Sequence, residues 1–140
     1  MKTDRVVLDT NVYVTLILSK RLNELVEWHK DQNTTIYVCP ELIDELTIVL
    51  RRQKIKKNLT EPVSAYIRFI SRVTESVTID RRFDRAPDIK DNYLFDLAYT
   101  VKSYYIVTND HPLLKMKQVN KIKLILLKDW KKLIEKVHEN

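Results

Sequence analysis

Short β-branched runs alternate along this chain with longer stretches whose apolar residues recur every three or four positions. The short runs predict strands at Arg5–Asp9, Thr35–Val38, Ser76–Ile79, Tyr104–Thr108 and Lys123–Leu127. The periodic stretches predict helices over Val12–Leu18, Arg21–Lys30, Pro40–Arg52, Pro62–Arg72, Asn92–Lys102, Pro112–Met116 and Asp129–His138. Pro40, Pro62 and Pro112 suit first-turn positions, where a missing backbone N–H leaves no helical bond unmade. Strand and helix in alternation is the signature of βαβ units, so the fold class is α/β with a mostly parallel sheet of about five strands. Residues 80–90 carry no clear period and read as a loop. There is no internal repeat and no low-complexity tract.

Composition narrows this picture. At 140 residues the chain has the size of one compact domain, expected to span residues 1–140. With 44% hydrophobic and 31% charged residues it reads as globular rather than disordered. The longest uncharged apolar run, Val12–Leu18, is interrupted by Thr15 and followed by Lys20 and Arg21, far short of the roughly 20 residues a membrane span needs. Met1 to Asp9 lacks the apolar stretch and cleavage site of an export signal. The single cysteine, Cys39, cannot close an intramolecular disulfide, so a reducing cytoplasm is the expected compartment. A formal charge of +6 favours a polyanionic partner, although the absence of Gly beside abundant Lys also suggests a compositional bias. The cations of residues 51–57, chiefly Arg51, Arg52 and Lys54, either complement a helix C-terminus or grip phosphates.

The acidic residues carry the candidate chemistry. Ligands of open parallel sheets collect at the carboxyl ends of the strands, and Asp9 and Asp110 each lie just beyond a hydrophobic strand. An ionised Asp there is costly to desolvate unless a cation meets it, and a metal ion is one such cation. Capping the next helix is the competing role for each. At about 100° per residue, Leu42, Leu46, Val49 and Leu50 form one stripe, with Glu45 at its margin and Asp44 opposite. Glu41 shares the side of Glu45 but sits at a helix start, where a negative charge has its own electrostatic reason. In the Asn92–Lys102 helix the stripe is Leu94, Leu97, Ala98 and Val101. Asp91 stands at its edge, Asp96 on the far side, and Asp88 and Asp96 remain reserve choices. If Asp9, Glu45, Asp91 and Asp110 converge, their oxygens suit Mg²⁺ or Mn²⁺, whereas no His or Cys cluster has the spacing zinc wants. Such a site points to phosphodiester hydrolysis.

These residues resemble a known family. Val6-Val7-Leu8-Asp9-Thr10-Asn11-Val12 resembles the opening motif of PIN domains, in which the Asp is a metal ligand and the Thr and Asn shape the turn after the first strand. Pro40-Glu41-Leu42-Ile43-Asp44-Glu45-Leu46 is similar to the second motif, with Glu45 in the acidic position. Asp91-Asn92-Tyr93-Leu94-Phe95-Asp96-Leu97-Ala98 resembles the third, and Ile106-Val107-Thr108-Asn109-Asp110 followed by Pro112-Leu113-Leu114 resembles the fourth. The four cover nearly the whole chain in the family's order. The match is closest to the toxin components of bacterial toxin-antitoxin pairs. The resemblance implies a three-layer α/β/α sandwich and an Mg²⁺- or Mn²⁺-dependent endoribonuclease whose catalytic and metal-binding residues are Asp9, Glu45, Asp91 and Asp110. It also implies RNA as substrate, a small antitoxin protein as partner and a homodimer. Asn109 departs from the Gly or charged residue common before the last Asp. The Asp88-Ile89-Lys90-Asp91 run departs from the usual tight acidic run, which leaves Asp88 beside Asp91 as the third acid.

Other residues carry weaker signals. Thr108 can hold a water at a strand end or simply follow β propensity. His29, His111 and His138 are scattered, and only His111 adjoins a candidate ligand. Tyr93, Tyr99, Tyr104 and Tyr105 can stack on bases or pack helix on sheet. Trp28, Trp130 and Cys39 read as core. A dehalogenase-like phosphatase needs a second Asp two residues after its nucleophile, where this chain has Asn11. A receiver-like Mg²⁺-binding signalling domain leaves Glu45 unexplained. A catalytically silent PIN-like scaffold that binds RNA or protein is the remaining alternative.

Overall fold

The computed structural model describes residues 5–138, with side chains through residue 136. The reading of the N-terminus as no export signal therefore falls partly on residues 1–4, outside the described residues, as does the His138 side chain. The sheet is six-stranded: β1 (Arg5–Leu8), β2 (Thr35–Val38), β3 (Glu75–Ser76), β4 (Tyr105–Val107), β5 (Gln118–Val119) and β6 (Ile122–Ile125), in the spatial order β3-β2-β1-β4-β6-β5. All pairings are parallel except that of β5 with β6. The helices are α1 (Thr10–Leu18), α2 (Glu24–Asp31), α3 (Pro40–Arg51), α4 (Gln53–Lys56), α5 (Val63–Val73), α6 (Asn92–Thr100), α7 (His111–Lys115) and α8 (Leu127–His138). Among the described residues no helix is long and apolar enough to cross a membrane.

The central strands are apolar on both faces. Val6, Val7 and Leu8 of β1 are wholly buried, as are Ile106 and Val107 of β4. Because successive strand side chains point to opposite faces, this burial means that helices cover the sheet on both sides. The result is an α/β fold, as the residue pattern implied, with the sheet as its middle layer, as the resemblance implied. Trp130, Tyr13 and Phe95 are the largest side chains sealed in the core.

Several boundaries differ from the sequence reading, each for a local reason. The third strand is Glu75–Ser76, at the edge of the sheet, rather than Ser76–Ile79; one further bond, from Val77 N to the Val38 carbonyl, extends it. β5 was not foreseen, since two residues are too few to show alternation. The predicted strand Lys123–Leu127 ends at Ile125, and Leu127 begins α8 two residues before Asp129. The apolar run there fits either period. The predicted helix Arg21–Lys30 starts at Glu24, because Lys20 and Arg21 close the end of α1 instead. Arg52 adopts an extended conformation (φ −63°, ψ 136°) that divides the predicted Pro40–Arg52 helix from the short α4. Pro62 caps α5 rather than entering its first turn.

The 80–90 segment is irregular, as expected, but tied down. Asp96 Oδ1 accepts from the backbone N–H groups of Arg82 (3.1 Å) and Phe83 (3.0 Å), and Asn92 Oδ1 accepts from Ala86 N (2.9 Å). Phe83 stacks on Phe95 with centroids 4.2 Å apart, and the Arg85 guanidinium lies 5.1 Å over the Phe83 ring. The segment ends in a 3-10 turn at Ile89–Asp91 that runs into α6.

Candidate active site

The chain leaves β1 to make β2 and β3 on one side and returns to make β4 on the other, so the order reverses between β1 and β4. Outside the carboxyl ends of two such strands the loops diverge and leave a crevice. Here the crevice is a cleft of about 530 Å³ whose lining includes Asp9, Thr10, Asn11, Glu45, Arg52, Asp88, Lys90, Asp91 and Asp110.

Asp9 is fixed on almost every side. Register pairs Leu8 with Val107, which sets Asp9 beside Thr108. Asp9 Oδ1 accepts from Thr10 N at 2.7 Å, while Oδ2 accepts from Thr108 Oγ1 at 2.8 Å and Asn11 Nδ2 at 3.1 Å. Asn11 reaches across in turn, its Oδ1 accepting from Asn109 N at 3.2 Å. Thr108 Oγ1 also accepts from Asp110 N at 3.0 Å, so one hydroxyl spans the two strand-end acids. Asp110 caps α7, its Oδ2 accepting from Leu113 N at 3.1 Å. Both strand-end acids thus act as helix caps and also face the cleft.

Glu45 comes from α3 and is half-buried; its Oε2 accepts from the phenol of Tyr93 at 2.6 Å. Asp91 is 9% exposed and makes no capping bond at the start of α6. Asp88, three residues earlier, accepts from Lys90 N at 3.1 Å and caps the 3-10 turn. Asp88 lines the same cleft but is exposed. Asp96 lies outside it, turned to the backbone of Arg82 and Phe83. Its expected auxiliary role corrects to anchoring the loop, because helical phase carries residue 96 away from residue 91. Of the basic candidates, Arg52 lines the cleft, while Arg51 and Lys54 are exposed and stand apart from it. His111 is exposed and does not line it.

The acids sense one another. Asp91 is pushed up to about 7, first by burial and then by the charges of Asp9, Glu45, Asp88 and Asp110. Asp9 is raised by burial, against the opposing hydrogen bonds from Thr108 and Thr10, and further by the charges of Glu45 and Asp110. The four carboxylates therefore share a single negative field. Among the described residues no three Asp, Glu, His or Cys side chains are already drawn together as a metal-ligand cluster. By type, though, the cleft offers only hard oxygen donors in a field that favours a cation, which fits Mg²⁺ or Mn²⁺.

Two features escaped the sequence. Lys90, on the cleft rim, sits in a segment without periodicity. The Tyr93 to Glu45 bond joins residues 48 apart in the chain, which no local pattern encodes.

An α/β protein with carboxylates around the crevice of its strand reversal belongs to a recognisable class. The model of the PIN domain family matches residues 5–112, and the chain belongs to that family. Among solved structures, its fold is similar to a chain in the crystal structure of VapBC2 from Rickettsia felis bound to a DNA fragment from their promoter. The TM-score is 0.59 at 16% identity, covering 86% of this chain and 96% of that one. No curated protein matches the sequence.

Proposed function

We propose that this PIN domain, spanning the whole chain, is an Mg²⁺- or Mn²⁺-dependent endoribonuclease and the toxin of a toxin-antitoxin pair in the cytoplasm. The observation that carries the catalytic reading is the meeting of Asp9, Glu45, Asp91 and Asp110, from four separate elements, around one cleft at the carboxyl ends of β1 and β4. These four side chains would hold the metal. When bound, the metal would activate water for attack on the phosphodiester and neutralise charge on the leaving oxygen.

The chain's own residues do the rest. Thr108 and Asn11 keep Asp9 in one orientation, and Asp110 is set by the first turn of α7. Arg52 and Lys90 on the rim, with the net positive chain behind them, draw an RNA backbone to an otherwise acidic cleft. The toxin reading leans on the likeness to VapBC2, which was solved as a complex; the small antitoxin partner and the homodimer come from the family resemblance of the motifs.

Purified protein is expected to cut RNA with Mn²⁺ or Mg²⁺ and to stop on chelation. Asp9→Asn is expected to lower the rate by more than the ~100-fold that losing an outer-shell partner can cost, with the fold retained by circular dichroism. Metal-independent cutting that survives this substitution would refute the mechanism. One observation favours a silent scaffold: the acids are not pre-gathered as a ligand cluster. A protein that binds RNA but neither metal nor cuts would establish that alternative. For the toxin role, expression should slow growth and a co-expressed neighbouring small gene should relieve it; harmless expression would count against it.

A further inference from the structure

We propose that Tyr93 is a positioning residue for the metal site: its phenol holds Glu45 in the cleft and readies it as a ligand before any cation arrives. The inference rests on the metal-dependent reading above and adds a residue to it.

Glu45 needs such a partner more than the two strand-end acids do. Asp9 and Asp110 are short side chains fixed by neighbours at strand ends, each with at least one backbone N–H among its donors. Glu45 has one more rotatable bond, is only half-buried on α3 and lines a cleft with Asp9 and Asp91. Like charge drives a flexible carboxylate in that position toward solvent. The Tyr93 phenol opposes this with a 2.6 Å hydrogen bond to Oε2, the sole side-chain bond that Glu45 makes among the described residues. A phenol donating to a carboxylate at that length is a charge-assisted bond, stronger than a neutral one.

The donor itself cannot wander. Tyr93 is 3% exposed, its ring packed in the core. It also follows Asp91 by two positions, at the start of α6. Three consecutive residues thereby serve one end of the helix: Asp91 faces the cleft, Asn92 holds the incoming loop at Ala86 N, and Tyr93 reaches across to α3. The start of α6 thus sets two of the acids, one directly and one through a partner.

The test is a binding cycle on the full-length chain, with MnCl₂ titrated calorimetrically into wild type, Tyr93→Phe, Glu45→Gln and the double variant. Tyr93→Phe deletes one oxygen and keeps the ring, and thermal melts confirm that each variant is folded. Tyr93→Phe is expected to weaken Mn²⁺ binding by about 10-fold, the lower end for an outer-shell partner of a ligand. In the Glu45→Gln background the same change is expected to do little. A metal-free readout accompanies it: the Glu45 carboxyl ¹³C resonance should shift in Tyr93→Phe as the hydrogen bond is lost. An unmoved resonance, or an equal loss of affinity in both backgrounds, overturns the positioning role while leaving the metal site standing. Wild type that binds no Mn²⁺ overturns the metal reading itself, and the role of Tyr93 with it.

Discussion

Thr108 shows how much one side chain does at this site. Its hydroxyl donates to Asp9 and accepts from the backbone of Asp110, so a single buried oxygen spaces the two strand-end acids. Asp91 is the opposite case, a nearly buried carboxylate without a capping bond and surrounded by like charge. Its folded-state value of about 7 lies above the ordinary 3.8. Between those values the folded state holds more protons than the unfolded one, so stability falls as pH rises through that window. The cost is fully present above pH 7 and relieved toward pH 4. In metal-free protein, Asp91→Asn is therefore expected to raise the melting temperature at pH 8 and to change it little near pH 4. Equal effects at both pH values would show that Asp91 carries no such penalty.

At the scale of elements, the helix ends are notable because the chain contains no glycine. α1 and α6 both finish in a Schellman turn with lysine in the left-handed position: Lys20 at φ 60° and Lys102 at φ 57°. The bonds are those of the motif, Arg21 N to the Leu16 carbonyl and Lys20 N to Ile17 in the first, Ser103 N to Ala98 and Lys102 N to Tyr99 in the second. A side chain with a Cβ costs roughly 1–2 kcal/mol in that conformation, part of which glycine returns as unfolded-state entropy. Lys102→Gly is expected to stabilise the protein by about 0.5–1 kcal/mol in urea denaturation. A loss of stability would mean that the lysine makes contacts that outweigh its backbone strain. The docking of α2 on α8 has the reverse pH sign to Asp91. Burial raises the Glu24 carboxyl, but hydrogen bonds and charge from Arg21 and Lys131 outweigh it and hold it below its usual range. That contribution is present above the unfolded value of about 4.5 and fades as pH falls through the folded one. Beside it, Trp28 meets Trp130 edge-on at 5.1 Å, which joins the two helices whatever the pH.

At the scale of the whole molecule, an acidic cleft is set into a chain of net charge +6. The division of labour this suggests is that distributed cations supply affinity for a polyanion and the cleft supplies chemistry. Arg52 stands at the boundary, since it lines the cleft from the break between α3 and α4. Arg52→Ala is expected to weaken RNA binding across sequences and to reduce the salt dependence of log affinity by roughly one contact, about 0.7 for single-stranded RNA. Arg51→Ala, outside the cleft, is expected to change it less. Fluorescence anisotropy over a series of salt concentrations measures both, and identical slopes for the two variants would remove Arg52 from the binding path.

What the sequence determined by itself was whatever depends on neighbours in the chain. Continuous apolar runs at Val6-Val7-Leu8 and Ile106-Val107 announced buried parallel strands, and the phase of α3 put Glu45 at the margin of its apolar stripe. The motif around Asp9 marked a strand end. Tertiary structure decided what depends on distance. It left Asp91 nearly buried in the cleft and Asp88 exposed at the same cleft as a cap, turned Asp96 to hold a loop, and set Tyr93 against Glu45 across 48 positions. Periodicity records which way a side chain leaves its own helix or strand. Which partner it then meets is fixed only when separate elements pack, and hydrogen bonds and like-charge fields act over a few ångströms of space rather than along the chain.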